Sequence, residues 1–294
     1  MAALDAQSLL SARPPLRRRL VDTVATVVMV AAAATALLAL LFVLYYLLEK
    51  GAGVISWEFL TSDIPRNQRA TGGGMYPAII GTLVITGGAA AMAIPLGVLG
   101  AIYLNEFGKQ RPLATFIRFM ADVMTGVPSI VMGLFIYTIW VVRFHEFSGL
   151  AGAFALACLM LPIVIRTTEE MLRLVPDELR QASQALGART WRTTLTVVLP
   201  AALSGIVSGA MLAVARAAGE TAPLIFVIGL AFEGNYSLSG QNTALPAQIF
   251  KNASSPFPGA QERAWGAALT LVAIVFAFTL LSRLVSRRFS TGPR

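Results

Sequence analysis

Residues 166–200 read RTTEEMLRLVPDELRQASQALGARTWRTTLTVVLP, a charged and turn-rich segment set between two long apolar runs. A bilayer core of roughly 30 Å requires about 20 apolar residues per helix. The flanking runs, Phe147 to Ile165 and Thr193 to Leu230, are of that order or longer. Outward from them lie four more: Thr23 to Leu48, Tyr76 to Leu104, Phe119 to Val142 with Asp122 near its start, and Ala264 to Ser282. The chain therefore reads as an all-α integral membrane protein with six transmembrane helices. The run ending at Leu230 is too long for one simple crossing; it begins before Pro200 and contains Arg216 and Glu220, so its spanning part is placed at Ala201 to Leu230.

Composition narrows the function classes. The 294 residues are 56% hydrophobic and only 13% charged, against roughly 25% charged in soluble domains. A single cysteine, Cys158, excludes a disulfide scaffold. The net charge of +8 does not point to nucleic acid, because the charges sit between apolar runs rather than on one polar face. They follow the rule that Lys and Arg stay cytoplasmic. On one side of a six-span path lie Arg13, Arg17, Arg18 and Arg19, then Lys109, Arg111 and Arg118, then Arg166, Arg173, Arg180, Arg189 and Arg192, then Arg283, Arg287, Arg288 and Arg294. The other side holds only Lys50, Arg66, Arg69, Arg143, Lys251 and Arg263. Both termini are expected in the cytoplasm. Arg17 to Arg19 before an apolar run also fit a cleaved signal peptide, but the run continues to Leu48, past a signal core of about 7 to 15 residues. The mature chain is expected to keep it.

The expected organisation is a cytoplasmic tail (1–20), a first helix (21–48), an extracytoplasmic loop (49–75), a core of five helices (76–284) containing a cytoplasmic loop (171–200), and a second cytoplasmic tail (285–294). The outer loops, Glu49 to Met75 and Ala231 to Arg263, carry turn residues. They read either as docking surfaces or as solvated connectors.

Chemistry is sparse. No Gly-x-x-x-x-Gly-Lys-Ser/Thr loop is present, since Gly108 and Lys109 are followed by Gln110. Cys158 and the lone His145 form no metal or thiol cluster, and no carboxylate pair or nucleophile turn supports an intramembrane enzyme.

Within the cytoplasmic loop a short amphipathic helix is expected. Pro176 suits a first helical position, Asp177 and Glu178 match the positive helix start, and Leu172, Val175, Leu179, Ala182 and Leu186 recur every three or four residues. Gly187 permits the left-handed turn that ends it. Such an apolar stripe is either packed beneath its own bundle or presented to another protein. The pattern Gln181-Ala182-Ser183-x-x-x-Gly187, nine residues, then Val197-x-Leu199-Pro200 resembles the EAA loop of ABC importer permeases. It departs from that pattern at Gln181, Ser183 and Val197. The resemblance implies that Gln181, Ala182, Ser183, Leu186, Gly187, Leu199 and Pro200 belong to a coupling loop that inserts into a separate ATPase subunit.

Arg216 and Glu220 lie inside a span, where a charge costs about 2.5 to 3.5 kcal/mol. Their spacing of four predicts one helix face. They read either as a self-neutralised structural pair or as a polar strip for a charged solute, which Arg166 at the end of the fourth span extends unless it snorkels to the surface. Arginines outnumber acids there, so an oxyanion fits best; composition does not choose among phosphate, sulfate and molybdate.

The choice comes from a second resemblance. Ala215-Arg216-Ala217-Ala218-Gly219-Glu220-Thr221-Ala222-Pro223 is similar to the signature of the phosphate-specific PstA permease family. Leu161 to Glu170, Asp122 to Ile130, and Gly72 to Gly74 with Gly81 to Leu83 resemble further family stretches in the expected order. The resemblance implies a type I ABC importer permease in the bacterial inner membrane, with Arg166 and Arg216 in phosphate passage and Glu220 as charge partner. It also implies no cofactor in this chain, ATP-Mg being held by two copies of a cytoplasmic ATPase. The other implied partners are a second homologous permease, an extracytoplasmic phosphate-binding protein and membrane lipid, with no nucleic acid. A permease for another oxyanion and a secondary transporter are the alternatives.

Overall fold

The computed structural model of the chain describes residues 16–108 and 111–289, without the side chains of 287–289. The readings that fall on residues 1–15, Lys109, the Arg287 and Arg288 side chains and residues 290–294 lie outside the described residues. Two compact units divide between Glu49 and Lys50. The first contains most of α1 (Leu16–Gly51), an unbroken helix of 36 residues. It has no Gly or Pro before its last residue, so nothing interrupts its hydrogen bonds.

The second unit contains α2 (Trp57–Thr61), α3 (Tyr76–Ile102), α4 (Pro112–Gly126), α5 (Ser129–Ile136), α6 (Gly149–Arg173), α7 (Asp177–Ala185), α8 (Thr190–Thr193), α9 (Leu199–Ala218), α10 (Ala222–Val227), α11 (Leu245–Ala253) and α12 (Pro258–Phe289). A π turn at Tyr103–Phe107 extends α3, and another at Thr194–Val198 joins α8 to α9. Its core is built on small side chains. Ala89 and Ala93 of α3 and Ala151 and Ala155 of α6 are buried, and a Cβ at Gly97 would stand 2.7 Å from Val164. Lipid gives helices no hydrophobic reason to associate, so close backbone approach supplies the dispersion contacts instead. Gly205 and Gly209 of α9, four residues apart, serve the same end, Gly209 lying against Thr167 of α6.

Among the described residues, five helices are individually long and apolar enough to cross a membrane, and α4 with α5 makes a sixth crossing only if the bent pair counts as one. The contacts decide this. The start of α6 bonds to the second outer loop, Gly149 N to Gly240 O at 3.0 Å and Leu150 N to Leu238 O at 2.7 Å. The start of α3 lies beside the same region, because Leu245 N donates to Thr82 Oγ1 at 2.8 Å. Their far ends also share partners: Arg118 reaches Leu104 O and Glu169, and Arg180 reaches Glu106. Helices α3 and α6 thus run the same way, and the segment between them must return.

That return, within the run from Phe119 to Val142, is broken into two half-helices. The two helices meet at 104°, with Val127 and Pro128 extended between them. Pro128 disfavours the α conformation at Val127 and has no N–H to continue a helix. A correction falls on the span placed at Ala201 to Leu230. Helix α9 ends at Ala218, Gly219 caps it, and Pro223 sits in the first turn of a new helix instead of kinking an old one.

The outer loops pack as one cap. Phe59, Ile64 and Met75 are buried with Leu245 and Ala267, and Ile64 N donates to Phe232 O at 3.2 Å. Arg263 is buried, its guanidinium donating to the carbonyls of Gln68, Ala70 and Gly72 at 3.2, 2.6 and 2.9 Å. Lys251 stands over the Phe232 ring at 4.8 Å, and burial lowers its pKa from the ordinary lysine value. These loops are built structure rather than loose connectors.

Candidate functional site

The two helix breaks converge. Residues 124–129 of the α4–α5 bend, Leu159, Pro162 and Ile163 of α6, and Arg216 and Glu220 beside the α9–α10 break line a polar cavity of about 450 Å³. Pro162 stands near the middle of the 25-residue α6, so the cavity opens beside that helix rather than at either of its ends. Gly133 of α5 makes the convergence possible, since a Cβ there would stand 2.5 Å from Pro223 Cα.

Arg216 occupies the last turn of α9, where the helix dipole favours a cation. Its Nε lies 3.9 Å from Glu220 Oε1, a loose pair in which the arginine side chain is 71% exposed and the carboxylate 23%. The expected pairing is present, but not on one continuous helix face, because Glu220 follows the helix cap. Opposite, α5 begins at Ser129 without a capping side chain, so the positive end of its dipole opens on the same cavity.

Arg166 does not line this cavity. It pairs with Asp122 of α4, and its Nη1 lies 3.6 Å from Glu169 Oε2. Sequence reasoning missed Glu169, which is buried and accepts from Arg118 Nε at 2.8 Å and Arg173 Nη2 at 2.7 Å. One local signal was available: Arg166 three residues before it and Arg173 four after it share its helix face. Arg118 was legible only as a topological charge.

In the segment between α6 and α9, α7 covers residues 177–185, with Pro176 at the N-cap position rather than the first helical one. Its end follows the expected turn. Gly187 has φ +85°, its N–H donates to Gln184 O at 2.9 Å, and Ala188 N donates to Ser183 O at 3.2 Å. This is the Schellman pattern. The apolar stripe divides: Leu172 and Val175 are buried, whereas Leu179 is 46% and Leu186 91% exposed, and Ala182 and Gln181 are also exposed. Ser183 Oγ lies 2.9 Å from Thr193 Oγ1. Leu199 and Pro200 open α9, with Pro200 in its first turn. Of the predicted loop residues, Leu186 and Ala182 thus share an unpartnered face, while Ser183, Leu199 and Pro200 anchor the segment to the bundle. Arg180, also missed, is buried beneath α7 and bonded to Glu106.

Residues 93–291 match the family described as "Binding-protein-dependent transport system inner membrane component". The chain is 40% identical over 276 residues to "Phosphate transport system permease protein PstA 1" of Mycobacterium tuberculosis (strain CDC 1551 / Oshkosh), covering 92% of this chain and 90% of that one. It is 44% identical over 236 residues to "Phosphate transport system permease protein PstA" of Yersinia pestis, covering 80% of each. In fold it is similar to a chain of a bacterial alginate ABC transporter crystallised with an alginate-bound periplasmic protein, with TM-score 0.65 at 11% identity over 96% of this chain and all (100%) of that one. It also resembles a chain of the inward-facing MetNI methionine ABC transporter, with TM-score 0.57 at 19% identity over 74% and 94% of the two chains. These likenesses show the type I importer permease fold. The chain belongs to the binding-protein-dependent transport system inner membrane components, and within them to the PstA permeases.

Proposed function

We propose that this chain is a membrane-spanning subunit of an ATP-driven importer of inorganic phosphate, and that phosphate passes the cavity held by Arg216 and Glu220. The observation that carries the reading is the cavity itself: two broken spans meet around an arginine whose charge is only loosely met. Broken helices whose ends face a shared cavity are a recurrent way to hold an ion within a membrane. The fork of Arg216 attracts the oxyanion, and the dipole of α5 adds to the attraction. Glu220 weakens the hold so that the anion leaves again.

Arg166 acts one step further in, beside Asp122 and Glu169. The exposed face of α7 seats a separate ATPase, two copies of which bind ATP-Mg; this chain is a transport component with no ATP site of its own. A second, different permease completes the path, and an external phosphate-binding protein docks on the outer cap.

The test is phosphate uptake by vesicles carrying the assembled complex. Removal of one charge-assisted contact costs about 1.5 to 3 kcal/mol, so Arg216→Ala should reduce uptake by about tenfold to a hundredfold while leaving assembly intact. Arg216→Lys keeps the charge but loses the planar fork, and a partial loss is expected. Uptake of sulfate or molybdate without phosphate would overturn the cargo; full uptake by Arg216→Ala would remove that residue from the path.

A further inference from the structure

We propose that Arg180 and Glu106 form a mechanical joint, a pair of positioning residues that deliver movement of α7 to the inner end of α3. The proposal rests on the importer reading for what moves α7, and on the structure for how that movement travels.

Helix α7 shows its apolar residues outward and buries a single side chain of its own, Arg180. That guanidinium makes five hydrogen bonds. Its Nη1 donates to Val175 O at 2.6 Å and to Asp177 Oδ1 at 3.2 Å. Its Nη2 donates to Leu172 O at 2.8 Å and to Glu106 Oε1 at 3.0 Å, and its Nε reaches the same oxygen at 3.3 Å. One planar fork therefore ties three elements together: α7, the carbonyls at and just beyond the end of α6, and the π turn that closes α3. Unsatisfied carbonyls at a helix end attract a cation, which explains why an arginine is stable there. Both charged side chains are nearly buried, at 10% and 5% exposure. Without Glu106, Arg180 keeps only Asp177 and the two carbonyls; without Arg180, the buried Glu106 carboxylate keeps only the neutral Asn105 amide, at 2.8 Å.

The backbone on either side of α7 is a poor transmitter. It turns at Pro176 and again at the left-handed Gly187, and apart from the fork the side-chain hydrogen bond from α7 to the rest of the protein, among the described residues, is the neutral Ser183–Thr193 hydroxyl contact. Helix α3, by contrast, runs from this joint to the outer cap, where Thr82 accepts from Leu245 N and Gly81 lies against Thr243 O. It passes Val164 of α6 closely enough that a Cβ at Gly97 would stand 2.7 Å from that side chain. A displacement of α7 thus reaches both α3 and α6 at their inner ends, and α3 carries it to the opposite face of the protein.

The experiment uses the complete complex with its ATPase subunits, reconstituted in vesicles. Glu106→Ala and the milder Glu106→Gln are compared with wild type for phosphate uptake, ATP hydrolysis and amide hydrogen exchange. The expected result is assembly and hydrolysis retained, apparent KM for phosphate unchanged, and phosphate moved per ATP reduced by about tenfold or more for Glu106→Ala, as for loss of a charged hydrogen-bond pair. Amides of residues 177–187 should exchange faster while those of α6 do not. Arg180→Met combined with Glu106→Gln should be no worse than Arg180→Met alone, because the two act as one unit. A wild-type ratio of uptake to hydrolysis in Glu106→Ala, or unchanged exchange in α7, would overturn the joint. If Glu106→Ala does not assemble, Glu106→Gln is read by the same two criteria. Exchange needs no substrate, so a wild-type complex that hydrolyses ATP but moves no phosphate refutes the cargo and leaves the joint to be judged on α7.

Discussion

At Glu169 a single buried carboxylate faces Arg118, Arg173 and Arg166, and Asp122 supplies the second anion of the cluster. The two acids differ in setting: the Glu169 side chain is 2% exposed and that of Asp122 58%. Losing one partner of a fully buried pair costs about 3 to 5 kcal/mol, but these arginines are partly solvated, so about 2 to 3 kcal/mol is expected for Glu169→Gln. Asp122→Asn should cost under about 1 kcal/mol. Denaturant unfolding of the purified chain in detergent measures both, and equal costs would show that burial does not govern the cluster. Arg166 illustrates what one-dimensional reading misses. Its place at a span end and its kinship with a phosphate-pathway arginine were legible, but its partner Asp122 is 44 positions away, and no local spacing announces it.

At the scale of the element, the breaks matter more than the helices. An apolar run such as Phe119 to Val142 looks continuous to periodicity whether or not the backbone bends inside it. Pro128 marked the place, but its 104° bend is fixed by packing, above all by Gly133 against Pro223. Gly133→Ala should therefore separate the two half-helices and cost about 1 to 3 kcal/mol, as overpacking does. Gly87→Ala is the control: no atom lies within 4 Å of its added Cβ, and replacing an open helical glycine should stabilise by about 0.5 to 1 kcal/mol. Thermal unfolding of the two variants separates the effects, and similar losses in both would remove the close contact as their cause. The turn at Gly187 is the opposite case. It was legible because a left-handed residue after an amphipathic run is a local event, set by the absence of one Cβ.

For the whole molecule, sidedness is the testable quantity. Leu186 is 91% and Tyr236 67% exposed, at opposite ends of the α3–α6 pair by the contacts of their loops. In a Cys158→Ala background, Leu186→Cys should react with a membrane-impermeant maleimide only in inverted vesicles, and Tyr236→Cys only in intact cells stripped of their outer layer. Labelling of both from one side would overturn the six-span path. Reaction at residue 186 should fall when the ATPase is bound, since the same face is its proposed seat.

The sequence by itself determined the membrane class and the loop helix with its turn, because each follows from local hydropathy or backbone freedom. Only the tertiary structure decided where two crossings break, that Arg216 rather than Arg166 lines the cavity, and that Glu169 and Arg180 organise the inner side. Those outcomes depend on partners far apart in the chain, and a buried charge reveals its role only when the groups that neutralise it are brought alongside.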